Sequence, residues 1–311
     1  MDALTALLDG PRARGAFLLR SVLTPPWSLR IRDEAALAVA AVVRGAAWYV
    51  PDDGKSVELH PGDVLVVRGP GHYTVADPPD CPPQIVIHPG QRCTTPDGRD
   101  LAELMYLGVR TWGDDPDGPT VILTGAYQLA GEVSRRLLGT LPQALMVPRE
   151  DWDTPLVTLL ADEIAKDRPG QEAVLDRLLD LVLITALRTW LARPGTAPGW
   201  YRAQSDPVIG PALLLLHHDP AAPWTVAALA ARVKVSRALL ARRFTELVGE
   251  PPMAYLAGWR LALAADLLLE PGATLGAVAR QVGYGSAFAL SAAFKRVRGV
   301  SPREHRGESE A

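Results

Sequence analysis

The sequence predicts an α+β chain of more than one domain. An N-terminal β-barrel with a helical hairpin precedes an all-α domain of two helix-turn-helix motifs joined by a linking helix. Three observations carry this expectation. Residues 1–128 alternate short apolar runs with Gly, Pro and Asp turn signals. The pattern changes to a helical period after Gly131, and the segment 207–306 contains an approximate internal repeat. A chain of 311 residues that is 48% hydrophobic and 22% charged has the length for two globular domains and the composition of a globular protein.

The β-domain, 1–128, rests on the runs "ALAVAAVVRG", "AAWYVPDDG", "SVELHPGD", "VLVVRGPG", "YTVADPPD" and "QIVIHPG". Each is of strand length and bounded by turn residues. Many short strands at regular spacing imply a sandwich or a small barrel. The stretch "ELHPGDVLVVRGPGHYTV" resembles the cupin, or double-stranded β-helix, family. That resemblance implies a Pro-Gly-Asp turn leading into a strand on a pocket wall.

Residues 129–194 are expected to be helical and to serve dimerisation. "GEVSRRLLGTLPQALMV" begins a helix that Pro142 must interrupt. Thr154 and Pro155 make an N-cap and first-turn pair for the next helix. Leu175, Leu178, Leu179, Val182, Leu183, Ala186, Leu187 and Trp190 then follow a helical period, with Leu181 and Ile184 beside the stripe. A helix this apolar is buried on more than one side, in a core or against a second copy of the chain. The Pro/Gly-dense stretch 195–206 reads as a linker and 307–311 as a disordered tail.

The repeat aligns "WTVAALAARVKVSRALLARRFTELVGEPPMAYL" with "ATLGAVARQVGYGSAFALSAAFKRVRGVSPREHR". It pairs Leu229 with Val278, Ala230 with Ala279, Leu240 with Leu290, Phe244 with Phe294, Gly249 with Gly299 and Pro252 with Pro302. One to two extra residues fall in the second turn, at Gly283–Gly285. Each copy is a helix, a short turn, a second helix and a stop. In such a motif the first helix braces the second, and the second enters the major groove of DNA. Ser236 is the natural N-cap of the first recognition helix, with Arg237, Leu239, Arg242 and Arg243 on or near its outer face. Arg suits both guanine edges and phosphates. The second recognition helix offers Ser286, Ser291, Lys295, Arg296 and Arg298. Its "SAFALSAAF" has almost nothing to hydrogen-bond a base. It is expected to grip phosphates, touch thymine methyls and read shape, leaving most direct readout to the first helix.

This arrangement resembles the AraC/XylS family of bacterial transcription regulators. The resemblance covers about residues 205–306. It rests on the doubled motif, the "RLALAADLLL" segment between its copies, and the ending "FKRVRGVSPREHR". It implies that the N-terminal domain binds an effector and often dimerises. The C-terminal domain is then expected to bind promoter DNA and to recruit or block RNA polymerase. The chain departs from the family at Ala292, where members commonly carry a polar or basic residue.

Charge is distributed to match. Net charge is −3, with 12 Lys+Arg against 9 Asp+Glu from Ser205 onward, and 20 against 26 before it. A mildly basic end behind an acidic remainder suits a nucleic-acid-facing C-terminal domain. His60, His72, His88, Cys81 and Cys93 cluster within the β-domain, and imidazole and thiolate are zinc ligands. They read as ordinary loop residues and thiols of a reducing compartment, with zinc, or oxidant sensing through Cys81 and Cys93 beside His72 and His88, as the functional alternative. The HxH pair of metal-dependent cupins is absent, and so are a GxSxG elbow, a P-loop and a GxGxxG turn. The expected protein is therefore a sequence-specific DNA-binding regulator and not an enzyme. A cupin-type metalloenzyme carrying a DNA-binding domain is the alternative. No apolar run of about 18 residues and no signal peptide is found, so a cytoplasmic protein with no membrane partner is expected; a homodimer with a small-molecule or oxidant effector is what the resemblance implies.

Overall fold

A computed structural model describes residues 17–127, 139, 141–152, 154–193, 195 and 199–309. The described chain divides into two compact units, one over 17–127 and 141–195, the other chiefly over 199–309.

The first unit has two sheets. Its strands are β1 (Phe17–Leu23), β2 (Trp27–Ile31), β3 (Leu37–Arg44), β4 (Ala47–Pro51), β5 (Val57–Leu59), β6 (Val64–Arg68) and β7 (Tyr73–Asp77). There follow β8 (Ile85–Ile87), β9 (Cys93–Thr94), β10 (Tyr106–Gly108), β11 (Thr111–Gly113), β12 (Thr120–Tyr127) and β13 (Ala144–Val147). One sheet has the order β10-β11-β1-β12-β3-β6-β13, the other β5-β4-β7-β2-β8-β9. Trp27, Tyr49, Leu65, Tyr73, Trp112 and Ile122 belong to the core of this β-unit. β3 and β12, in the middle of the larger sheet, are buried on both faces. Their continuous apolar sequences follow from that double burial. The Pro-Gly-Asp turn forms as expected. Gly62 takes φ +93°, and the Asp63 carboxylate accepts from the His60 amide at 2.8 Å and the Arg149 amide at 2.9 Å.

Two helices follow, α1 (Leu156–Ile164) and α2 (Gln171–Ala192). α2 packs on the larger sheet where Gly125 leaves room: a Cβ there would stand 2.6 Å from Leu179 Cδ1. The predicted stripe Leu175, Leu179, Val182, Leu183, Ala186, Leu187 and Trp190 is buried, while Leu178 is half-buried. Leu181 remains exposed. Three expectations change here. Residues 144–147 are not helical; they form β13, antiparallel to β6, because after Pro142 the run alternates between buried and half-buried positions. Thr154 does not cap α1, whose N-cap is Pro155 with no side-chain hydrogen bond. The helix expected from Gly131 lies outside the described residues.

The second unit is helical: α3 (Gly199–Gln204), α4 (Ile209–His218), α5 (Val226–Arg232), α6 (Arg237–Val248), α7 (Pro252–Leu268), α8 (Leu275–Gln281), α9 (Ala287–Arg298) and α10 (Pro302–Ser309). α3 occupies what the Pro/Gly content suggested was linker. Ala203 is buried in the domain core, and a Cβ on Gly199 would stand 2.3 Å from the Leu247 carbonyl oxygen, so this stretch is packed against α6. α10 runs to Ser309, past the point where a tail was expected to begin. One core, with Leu229, Ala230, Leu240, Phe244 and Leu256, holds the first motif. A second, with Leu261, Val278, Ala279, Leu290 and Phe294, holds the other. α7 contributes to both, with Tyr255 and Leu256 in one and Ala264, Ala265 and Leu268 in the next.

Candidate nucleic-acid interface

The repeat is written in caps as well as in core residues. Thr225 caps α5 by accepting from the Ala228 amide at 3.1 Å, and Thr274 caps α8 from Ala277 at 3.2 Å. Ser236 caps α6 from Leu239 at 3.2 Å, and Ser286 caps α9 from Ala289 at 3.1 Å. Both twelve-residue helices end on a left-handed glycine, Gly249 at φ +92° and Gly299 at φ +78°. A short polar cap satisfies an orphan amide at one end, and glycine supplies the left-handed turn at the other. Copies are offset by 49 positions up to Val233/Val282 and by 50 from Ser236/Ser286, so the second turn holds one extra residue. Gly283 there is constrained: its φ is +82°, and a Cβ would stand 2.7 Å from Ala221 Cα.

Each second helix buries one face and leaves the other to solvent. On α6, Leu240 and Phe244 are buried, while Arg237, Ala238 and Arg242 are exposed and Leu239 is half-buried. Arg242 lies 3.8 Å from Glu246 one turn on, with its side chain 71% exposed. An exposed pair of this kind is worth little and yields readily to a stronger anion. Arg243 is placed differently. Its Nε donates to Asp206 Oδ2 at 2.8 Å and its Nη2 also donates to that oxygen. The Asp206 side chain is only 7% exposed, and its Oδ1 accepts from the Val208 and Ile209 amides at 2.9 Å each. Arg243 thereby ties α6 to the start of α4. The hydrogen bond from Arg243 holds the Asp206 carboxyl below the usual carboxylate range.

On α9, Leu290, Ala293 and Phe294 are buried, and Phe288, Ala289, Ala292, Lys295 and Arg296 are exposed. Ser291 is half-buried. Arg298 turns back, its guanidinium carbon 5.2 Å from the centre of the Phe294 ring. The expected cationic residues therefore fall into two groups. Arg237, Arg242, Lys295 and Arg296 stand on open surface, while Arg243 and Arg298 brace their own helices. Phe288, which the sequence pattern did not single out, is 83% exposed. Its only sequence signal is its place one residue after the first position of α9.

Two arginines tie the frame around these helices together. Arg260 on α7 donates to the Pro220 and Ala222 carbonyls at 2.6 and 2.8 Å. Arg306 on α10 donates to Leu268 and Ala273 at 2.9 and 2.6 Å. His217 is buried: its Nε2 lies 2.6 Å from Tyr255 Oη, and its ring centre is 4.4 Å from that of Trp259. Trp259 is buried, and Trp224, half-buried against the core of the first motif, donates to the Asp219 carbonyl at 2.8 Å.

The candidate sensing residues of the β-unit do not converge. Among the described residues no group of three or more His, Cys, Asp or Glu is arranged to hold a metal ion. His88 Nε2 is 2.9 Å from Thr94 Oγ1, His72 is exposed, and His60 stands beside Asp63 and Glu58. Zinc therefore finds no ligand set there. Burial pushes the Cys93 thiol up to about 11, and desolvation and Asp80 raise that of Cys81. Since the thiolate is the reactive form, neither cysteine is activated. A cleft of about 700 Å³ opens elsewhere on the unit, lined by Val43, Pro61, Arg149, Trp152 and Thr158 among others.

Two family models match the chain, a Cupin model over residues 2–192 and a Helix-turn-helix domain model over residues 229–308. An AraC-like transcription regulator of Streptomyces antibioticus is 33% identical, over 98% of each chain. The transcriptional regulator AlkR of Acinetobacter baylyi is 28% identical over 99% of this chain and 100% of its own. Among solved structures, the DNA-binding domain of AdpA in complex with a target DNA is 33% identical. It covers 34% of this chain and 95% of that one, with a TM-score of 0.32. No described helix is long and apolar enough to cross a membrane.

Proposed function

Because the chain belongs to the AraC-like transcription regulators, with a cupin domain ahead of a DNA-binding helix-turn-helix domain, we propose that α6 reads bases and α9 mainly grips the backbone. The observation that carries this is the contrast between two otherwise matched helices. α6 presents Arg237 and Arg242 around Leu239; α9 presents Lys295 and Arg296 behind a small apolar surface. Guanidinium groups make bidentate contacts to guanine edges, and Lys and Arg neutralise phosphates. Ser236 and Ser286 fix the first turns that enter the groove, and Ser291 lies at its flank. Arg243 serves as a positioning residue through Asp206, and Arg298 through Phe294. α7, with 17 residues, is about 26 Å long and spaces the motifs for successive major-groove segments.

The regulator acts in the cytoplasm as a homodimer and influences RNA polymerase at promoters. Dimerisation is supported by Val174 and Leu181 on α2, exposed seven positions apart with Leu178 half-buried between them. The raised Cys93 and Cys81 thiols and the lack of a shared site for them among the described residues favour a small-molecule effector over an oxidant, and the cleft beside Arg149 and Trp152 has room for one. Its binding would favour one arrangement of the chain over another and so shift DNA occupancy. The relatives are transcription regulators, and the alternative of a cupin-type metalloenzyme finds no support among them. The test is a duplex selected from a random pool by the full-length chain. Arg242→Ala should relax base preference in one half of the selected site. Unchanged preference would remove α6 from direct readout.

A further inference from the structure

We infer that Phe288 is a specificity-determining residue that reads a thymine C5-methyl group in the half-site facing α9. This rests on the placement of α9 against DNA proposed above.

Phe288 is more exposed than any other large apolar side chain described, at 83%. It has no place in the core of the second motif, which Leu290, Ala293 and Phe294 complete on the opposite face of the helix. A buried aromatic ring removes about 150–250 Å² from water, so a ring held in solvent forgoes most of that gain. The ring is nonetheless held out. Ser286 caps α9 through the Ala289 amide at 3.1 Å and fixes the first turn, where Phe288 sits. In a helix-turn-helix the N-terminal residues of the second helix meet base edges.

The surroundings specify the partner. Ala289 and Ala292 are exposed beside Phe288, small enough to let the helix approach the floor of a groove. Lys295 and Arg296 are exposed two turns further along the same helix. An apolar tip followed by cations matches a duplex, where a methyl group projects into a groove walled by phosphates. No side chain on this outer surface between Phe288 and Lys295 carries a hydrogen-bonding group apart from half-buried Ser291. Thymine is the base whose major-groove edge carries a methyl, and Phe is among the side chains that contact it. The matching position in α6 is Ala238, so the two helices differ in what they read.

The test uses full-length protein and the duplex it selects from a random pool. Each thymine is replaced in turn by deoxyuridine, which removes the methyl alone. For the wild type, one or two thymines in the α9 half-site should each be worth about fourfold in affinity, the factor for burying one methyl-sized group. Phe288→Ala should bind the unmodified duplex more weakly and show no such penalty. Equal thymine penalties in wild type and Phe288→Ala would overturn the proposal. So would loss of self-association or of polymerase binding in Phe288→Ala with DNA binding intact. Lys295→Ala with Arg296→Ala is the control. If that pair leaves affinity and its salt dependence unchanged, the placement of α9 on DNA fails, a result distinct from failure of Phe288 alone. Because Phe288 lies outside the core, unchanged melting of the variant is expected and verifies folding.

Discussion

Replacing Lys295 and Arg296 together by Ala should flatten the salt dependence of DNA binding by an amount the structure sets. Four cations of the recognition helices stand on open surface: Arg237 and Arg242 on α6, Lys295 and Arg296 on α9. Arg243 is held by Asp206 and Arg298 by Phe294. Each phosphate neutralised adds about 0.9 to the slope of log affinity against log salt, so losing two contacts lowers the slope by about 1.8 per chain. Between about 50 and 200 mM salt, the wild type should then lose about tenfold more affinity than the double variant. Fluorescence anisotropy on a labelled duplex across that range reads both slopes. Arg243→Ala should leave the slope nearly unchanged, because its guanidinium is already engaged. An unchanged slope in the double variant, or a drop of about 0.9 for Arg243→Ala, would refute the division between gripping and bracing residues.

Other consequences follow from individual contacts. Asp206→Ala removes the acceptor for two amides at the start of α4 and for Arg243, and should cost about 1–3 kcal/mol in thermal or denaturant unfolding. Asp206→Asn isolates the charge. The folded-state carboxyl lies below its unfolded value, so its stabilisation is present above about pH 4 and fades as pH falls through the lower folded value. The stability gap between wild type and Asp206→Asn should shrink in acid. Cys93, buried with its thiol raised to about 11, should resist alkylation at pH 7.5 until the chain is unfolded; rapid labelling of the native protein would revive oxidant sensing. Leu181→Glu, on the exposed stripe of α2, should shift the sedimentation of a dimer to that of a monomer without lowering melting cooperativity.

What could be read from the sequence was local. The caps Thr225, Ser236, Thr274 and Ser286 and the stops Gly249 and Gly299 lie within a few residues of the backbone groups they satisfy. The strands β3 to β8 were likewise visible because turn residues bracket them. What was missed depends on distant partners. Nothing near Arg243 announces that Asp206, 37 positions upstream, takes its charge. Residues 144–147 become a strand because β6 offers an unpaired edge, and the helical pattern read in the surrounding sequence concealed it. Gly199 and Ala203 look like linker until Leu247 packs against them. Phe288 reads as one more apolar position until the opposite face of α9 is found to be full.

In the proposed complex one chain presents two recognition helices, held by a shared α7, to one face of DNA. Hydroxyl-radical footprinting of the full-length protein on its selected duplex tests it most directly. Two protected windows per chain are expected, centred about 10 base pairs apart on the same face, with Lys295→Ala/Arg296→Ala losing only one of them. A single window, or loss of both in that variant, would contradict it.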